Sequence, residues 1–137
     1  MQHLQTFLFS LVGFLAFLNS AAHAGGDIRV GGSSVGRVES DGSIRIRGTV
    51  IGKFESNGDI RIKGTVVGKI ESGGGIRKKG SIAGSVESNG DVRIGGSVKG
   101  RIESNGDVRK GGRIVGSASG IEPARAAAIF FFEFFDL

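Results

Sequence analysis

Six arginines recur at one spacing: Arg29, Arg45, Arg61, Arg77, Arg93 and Arg109 each stand sixteen residues from the next. A basic column of this kind could act as an electrostatic stripe for a polyanion such as nucleic acid, lipopolysaccharide or an acidic glycan. Acids follow the same spacing. Asp27, Asp59, Asp91 and Asp107 lie two residues before an Arg, and Glu39, Glu55, Glu71, Glu87 and Glu103 form a series beside Arg37, Lys53, Lys69 and Arg101. The reading these acids favour is a solvated face of weak surface ion pairs. Nucleic acid is disfavoured further, because Phe54 is the one aromatic residue in the repeated region and gives no stacking platform.

Catalytic chemistry is poorly supplied. The chain has no Cys, Tyr or Trp, and both His residues, His3 and His23, fall within the first 24 residues. Thiolate and imidazole chemistry are therefore absent beyond that point, and no loop leaves the repeats to wall a pocket. No catalytic residue, metal or cofactor is expected.

The elements that must position the charges come from the period itself. Gly26, Gly42, Gly58, Gly74, Gly90 and Gly106 begin six contiguous rows of sixteen residues, of which GDIRIKGTVVGKIESG is representative. Such a period is the signature of a repeat architecture. Within a row, apolar or tiny residues alternate with polar ones, the pattern of a half-buried strand. The third place holds Ile28, Ile44, Ile60, Ile76, Val92 and Val108, a candidate core ladder. Asn-Gly, the strongest two-residue hairpin signal, occurs at most once per row, so hairpins built on it alone would need strands about sixteen residues long. The pattern instead predicts an all-β, single-stranded parallel β-helix (β-solenoid). It would have six sixteen-residue turns of three short strands each, bending at inward Gly, in a rod roughly 30 Å long. One coil cannot offset its own chain entropy, so the turns must stack.

Three residues strain this scheme. Lys78 and Lys110 fall on inward places and must reach solvent at a bend or shift the local register, and Ser34 sits where other rows carry Val or Ile. The tenth place, with Val35, Ile51, Val67, Ala83 and Val115, points outward by alternation. It is either an exposed stripe for lateral contact or a segment turned inward between two Gly bends.

Three segments follow. Residues 1–24 carry no Asp, Glu, Lys or Arg, hold a twelve-residue apolar run from Phe7 to Leu18, and end in Ala22-His23-Ala24. This reads as a secretory signal peptide, placing the product in the periplasm or outside the cell, or in the cytoplasm if the segment is not a working signal. Residues 25–121 form the solenoid. Residues 122–137 form a tail with Phe130, Phe131, Phe132, Phe134 and Phe135, where Pro123 and the Ala run predict a short helix. The tail either caps the open end of the solenoid or serves as a sticky plug for another subunit or a membrane.

The G-x-I-x-I-x-G-T-V-x-G-x-I-x-S row, clearest at Gly42–Ser56 and Gly58–Ser72, resembles the repeat of the bactofilins. These are polymer-forming cytoskeletal proteins of bacteria, and the likeness spans about 96 of 137 residues, with the GTVxG steps Gly48–Gly52 and Gly64–Gly68 at its centre. The resemblance implies a right-handed triangular β-helix, end-to-end polymerisation without nucleotide, and a scaffolding role in cell shape and envelope growth. It also implies a cytosolic setting, from which the apparent export signal departs. The expected function is thus a non-enzymatic, bactofilin-like scaffold that self-associates into polymers and is exported to the envelope. The alternative is a monomeric module that binds anionic envelope polymers through the Arg ladder.

Overall fold

The computed structural model describes residues 25–137. The signal-peptide reading of residues 1–24 lies outside them. Each row folds as a β-hairpin. The strands are β1 (Gly26–Val30), β2 (Ser33–Val38), β3 (Ser43–Ile46), β4 (Thr49–Phe54), β5 (Asp59–Ile62) and β6 (Thr65–Ile70), followed by β7 (Gly75–Lys78), β8 (Ser81–Val86), β9 (Asp91–Ile94), β10 (Ser97–Ile102), β11 (Asp107–Lys110) and β12 (Arg113–Ser117). Each strand pairs antiparallel with its chain neighbours, and β1 pairs with β12 through Arg29 opposite Ser117 and Val30 opposite Gly116. The sheet is therefore a closed twelve-stranded barrel.

This overturns the parallel solenoid, and the reason is a second turn in every row. Places six and seven, the pairs Gly31-Gly32, Arg47-Gly48, Lys63-Gly64, Lys79-Gly80, Gly95-Gly96 and Gly111-Gly112, all have positive φ at both residues, for example 51° and 83° at Lys63-Gly64. Positive φ at both central residues defines a type I′ hairpin turn. The opposite end of the barrel carries the longer turns, such as Glu39–Gly42, closed by hydrogen bonds from the Gly42 N–H to the Glu39 carbonyl (2.9 Å) and from the Glu39 N–H to the Ser43 carbonyl (2.8 Å).

Alternation also breaks once per row. Arg45 faces Val50 while Ile44 faces Gly52, so Ile51 is an extra residue on β4, and all six hairpins carry this bulge at the tenth place. A bulge reverses which face the following residues occupy. Place nine, which alternation assigns to the core, is accordingly exposed: Val50, Val66, Ile82, Val98 and Ile114 retain 43–55% of their surface. Ser34 shares that exposed place, which removes the anomaly of a polar residue there.

The ladder Ile28, Ile44, Ile60, Ile76, Val92 and Val108 is fully buried, at 0% exposure. It is a ring around the lumen and not a stack, because an intervening strand separates each member from the next. Side chains alone fill a barrel of about eight strands; twelve leave a wider lumen, and the tail occupies it. Helix α1 (Pro123–Phe131) buries Ala126, Ala127, Ala128, Ile129, Phe130 and Phe131. Phe132, Phe134 and Phe135 follow it into the core at 5–8% exposure. Pro at the first helical turn starts the helix at no cost in hydrogen bonds, and Glu133, with φ 59°, turns the chain so that its own side chain stays outside. Among the described residues the sheet is thus closed and its core filled.

Candidate functional site

The tail meets the wall at the eleventh place of the rows. A Cβ on Gly116 would come within 3.0 Å of Phe130, one on Gly100 within 2.6 Å of Phe131, and one on Gly84 within 2.7 Å of Phe132. Gly68 and Gly52 receive Phe134 and Phe135 in the same way, at 2.7 and 3.2 Å. Five aromatic rings therefore seat on five consecutive hairpins, and the repeated Gly makes the seat. The sixth, Gly36, faces Ile46 Cδ1 instead.

The tail is thus neither an end cap on a rod nor an exposed plug: its rings are turned onto the barrel's own glycines. Lys78 and Lys110, placed inward by the pattern, hold the tail at the hairpin end of the barrel. The Lys78 ammonium donates to the Phe132 carbonyl at 2.7 Å and lies 5.2 Å from the Phe134 ring centre, and Lys110 lies 5.0 Å from that of Phe131. A carbonyl and a ring face compensate the partly desolvated Lys78 charge, while Lys110 stays exposed.

The six arginines are a ring on the outer wall, one per hairpin, and five of them are engaged. Nε of Arg45, Arg61, Arg77 and Arg109 donates to Glu39, Glu55, Glu71 and Glu103 at 2.5–2.8 Å, and Arg93 pairs likewise with Glu87. The same guanidiniums donate to the I′-turn carbonyls of Gly48, Gly64, Gly80, Gly96 and Gly112 at 2.9–3.2 Å. Arg29 donates to the Gly32 carbonyl at 2.9 Å. Five of the six thus tie the long turn before their hairpin to its I′ turn, while Arg29 holds the I′ turn alone. Most of the remaining wall charges pair as well: Arg37 with Asp27, Lys69 with Asp59 and Arg101 with Asp91, at 3.0–3.7 Å.

At the long-turn end the side chain of place sixteen closes a local ring. Asn57, Asn89 and Asn105 accept from the backbone N–H two residues on at 2.9–3.0 Å. Asp41 does the same with Ser43 at 2.9 Å, which holds its carboxyl below the ordinary value.

The tenth-place residues Val35, Ile51, Val67, Ala83 and Val115, read either as a lateral stripe or as turned inward, are half-buried and pack against the core. The exposed aliphatic series is their neighbours at place nine, which alternation hid because the bulge falls between the two. The signal that could have found them is the chemistry of place six: Arg-Gly, Lys-Gly and Gly-Gly are usable turn pairs once φ > 0 is allowed at both positions.

The described residues thus form a closed, charged barrel of six repeated hairpins with braced turns. The family model of the bactofilins, described as polymer-forming cytoskeletal, matches residues 47–121. The chain belongs to the bactofilin family, a family of structural, polymer-forming proteins. No curated protein and no solved structure matches it. The matched span runs from the I′ turn of the second hairpin to the residue before Glu122, so it excludes the aromatic tail. The right-handed triangular β-helix implied by the resemblance is replaced here by the closed barrel.

Proposed function

We propose that this chain is an exported, non-enzymatic scaffold whose plugged barrels assemble into polymers. Membership of a polymer-forming cytoskeletal family over residues 47–121 carries the reading. The closed sheet constrains how such a polymer is built. With β1 paired to β12, the described residues offer no free strand edge, so subunits join through side chains of the wall, the long-turn end or the I′-turn end, and not by strand addition.

Export rests on residues 1–24, with their uncharged apolar run and the Ala22-His23-Ala24 terminus. Mass analysis of the protein recovered from the envelope should find Gly25 first; an intact Met1 terminus on cytosolic protein contradicts export. Assembly is tested separately. Analytical ultracentrifugation and negative-stain microscopy of residues 25–137 should show concentration-dependent polymers, and monomers at every concentration contradict the scaffold. Deleting residues 122–137 does not test assembly, since that tail is part of the core.

Binding of anionic polymers through the arginine ladder finds less support, because five of the six arginines are already paired to glutamates.

A further inference from the structure

Grooves run between neighbouring hairpins on the outer wall, and three of them have nearly the same size. They measure about 290 Å³ between the first and second hairpins, 300 Å³ between the second and third, and 260 Å³ between the sixth and first. Their charges differ. The first groove holds Asp27, which pairs with Arg37 at 3.0 Å, and the last holds Asp107 together with Arg29. The middle groove has no carboxylate: Lys53, Arg61 and Lys63 line it around Val50, Ile51 and Ser43.

One change in the repeat makes the difference. Place two is Asp in four rows, and in three of them its carboxylate reaches the cation at place twelve of the same hairpin: Asp27 to Arg37, Asp59 to Lys69 and Asp91 to Arg101, at 3.0–3.7 Å. In the second row Ser43 stands opposite Lys53 instead. Among the described residues neither Lys53 nor Lys63 then has an ion pair. Arg61, by contrast, is held by Glu55 at 2.6 Å and by the Gly64 carbonyl at 2.9 Å. The carboxylate that Lys53 still acts on, Asp41, lies on the long turn and does not line the groove. The groove thus offers two unpaired ammonium groups, one hydroxyl and an aliphatic floor in which Val50 is 48% exposed.

We infer that this groove binds one uronic-acid unit of an acidic glycan, with its carboxylate at Lys53 and Lys63 and the C–H face of its ring on Val50 and Ile51. The lysines carry this binding, not the arginine column, whose members are engaged with glutamates. Charge, floor and size together select the occupant. A small inorganic polyanion uses the cations and leaves the aliphatic floor wet. A peptide laid in the groove finds no strand edge, because β4 is already paired with β3 and β5. Nucleic-acid bases find no aromatic platform. The volume sits at the lower limit of ligand sites, about 300 Å³, which suits a single sugar ring and gives an acyl chain no channel.

The repeat supplies its own variants, since each substitution below places a residue that a sister row carries at the same place; circular dichroism checks that the fold is kept. Equilibrium dialysis of the purified protein against labelled trigalacturonate should saturate at one site per chain and weaken with salt. The methyl-esterified trisaccharide should not bind. Ser43→Asp and Lys63→Gly should each weaken binding about fivefold, the effect of one screened surface charge pair, and Val50→Ser should weaken it too. In the next groove Asp59→Ser frees Lys69 near Lys79 and Val66, and should raise the count to two. Undiminished binding in Ser43→Asp, equal binding of the ester, or a count that stays at one in Asp59→Ser overturns the inference. Tripolyphosphate that binds as tightly and ignores Val50→Ser marks a plain anion site and overturns it as well. A Glu-Leu-Glu peptide that binds more tightly than the sugar does the same. Ultracentrifugation reads polymer formation separately, so loss of glycan binding leaves the scaffold reading standing.

Discussion

Phe131 lies over Gly100, at a point where a Cβ on residue 100 would come within 2.6 Å of the ring. The same relationship, repeated with different partners on four neighbouring hairpins, ties a non-repetitive tail to a repetitive wall. It accounts for Gly at the eleventh place in five rows, and in all six a side chain there would also meet the backbone carbonyl of an Arg on the neighbouring strand, within 2.5 Å of an added Cβ.

Substituting either partner is therefore costly. Phe131→Ala should lose about 3–5 kcal/mol of stability by leaving a cavity, and Gly100→Ala about 1–3 kcal/mol by overpacking. The double variant should lose less than the sum of the two, since the added methyl no longer meets the ring, although it still meets the Arg109 carbonyl. Chemical denaturation of the four proteins measures the coupling; strict additivity contradicts the seat.

At the I′ turns the expected effects run in opposite directions at adjacent residues. Gly64, with φ 83°, has open space around its Cα, so Gly64→Ala adds backbone strain alone and should destabilise by about 1–2 kcal/mol. Lys63→Gly relieves strain at φ 51° but loosens the unfolded chain, so it should be neutral or gain up to about 1 kcal/mol. Gly73 has ordinary φ and no neighbour within 4 Å of an added Cβ, so Gly73→Ala should have little effect. Thermal melts rank the three.

Acid should reach one turn differently from the others. The Asp41 carboxyl accepts the Ser43 N–H, and that bond, with the Ser43 side chain, lowers its pKa from 3.8. A depressed folded value means that the stabilising contribution is whole above the unfolded pKa and is lost as pH falls through the folded one. An NMR titration should place the Asp41 midpoint below 3.8; a midpoint at or above it contradicts the bond. Asp41→Asn should remove this contribution to the acid dependence while keeping the turn, as Asn57 does in the next row.

The period, the all-β class, the buried third place and a short helix after Glu122 were all legible in the sequence, because period and hydrophobicity report directly on repetition and burial. Topology was not. A coil of parallel strands and a ring of hairpins use the same sixteen-residue row, and the choice rests on whether Lys63-Gly64 and its equivalents bend or reverse the chain. A Lys at positive φ is uncommon, so the propensity of the residue pointed away from the turn it makes. The bulge at Ile51 was hidden for a related reason: an apolar residue at an expected outward place reads as surface until its strand partner is known. The destination of the aromatic tail depended on the lumen, which exists only once the sheet closes.

Closure of that sheet is the claim on which the rest depends, and a disulfide measures it. The chain contains no Cys, so Arg29→Cys/Ser117→Cys introduces one pair, on β1 and β12, at residues opposite each other in the barrel. Oxidation of residues 25–137 should give an intramolecular bond, because opposed antiparallel residues lie about 4.5–5.5 Å apart. The pair Arg45→Cys/Arg61→Cys, two strands apart around the wall and so about 10 Å from each other, should stay reduced. Ready bonding of residues 45 and 61, with none between 29 and 117, would mean that the rows stack as a coil and that the barrel is wrong.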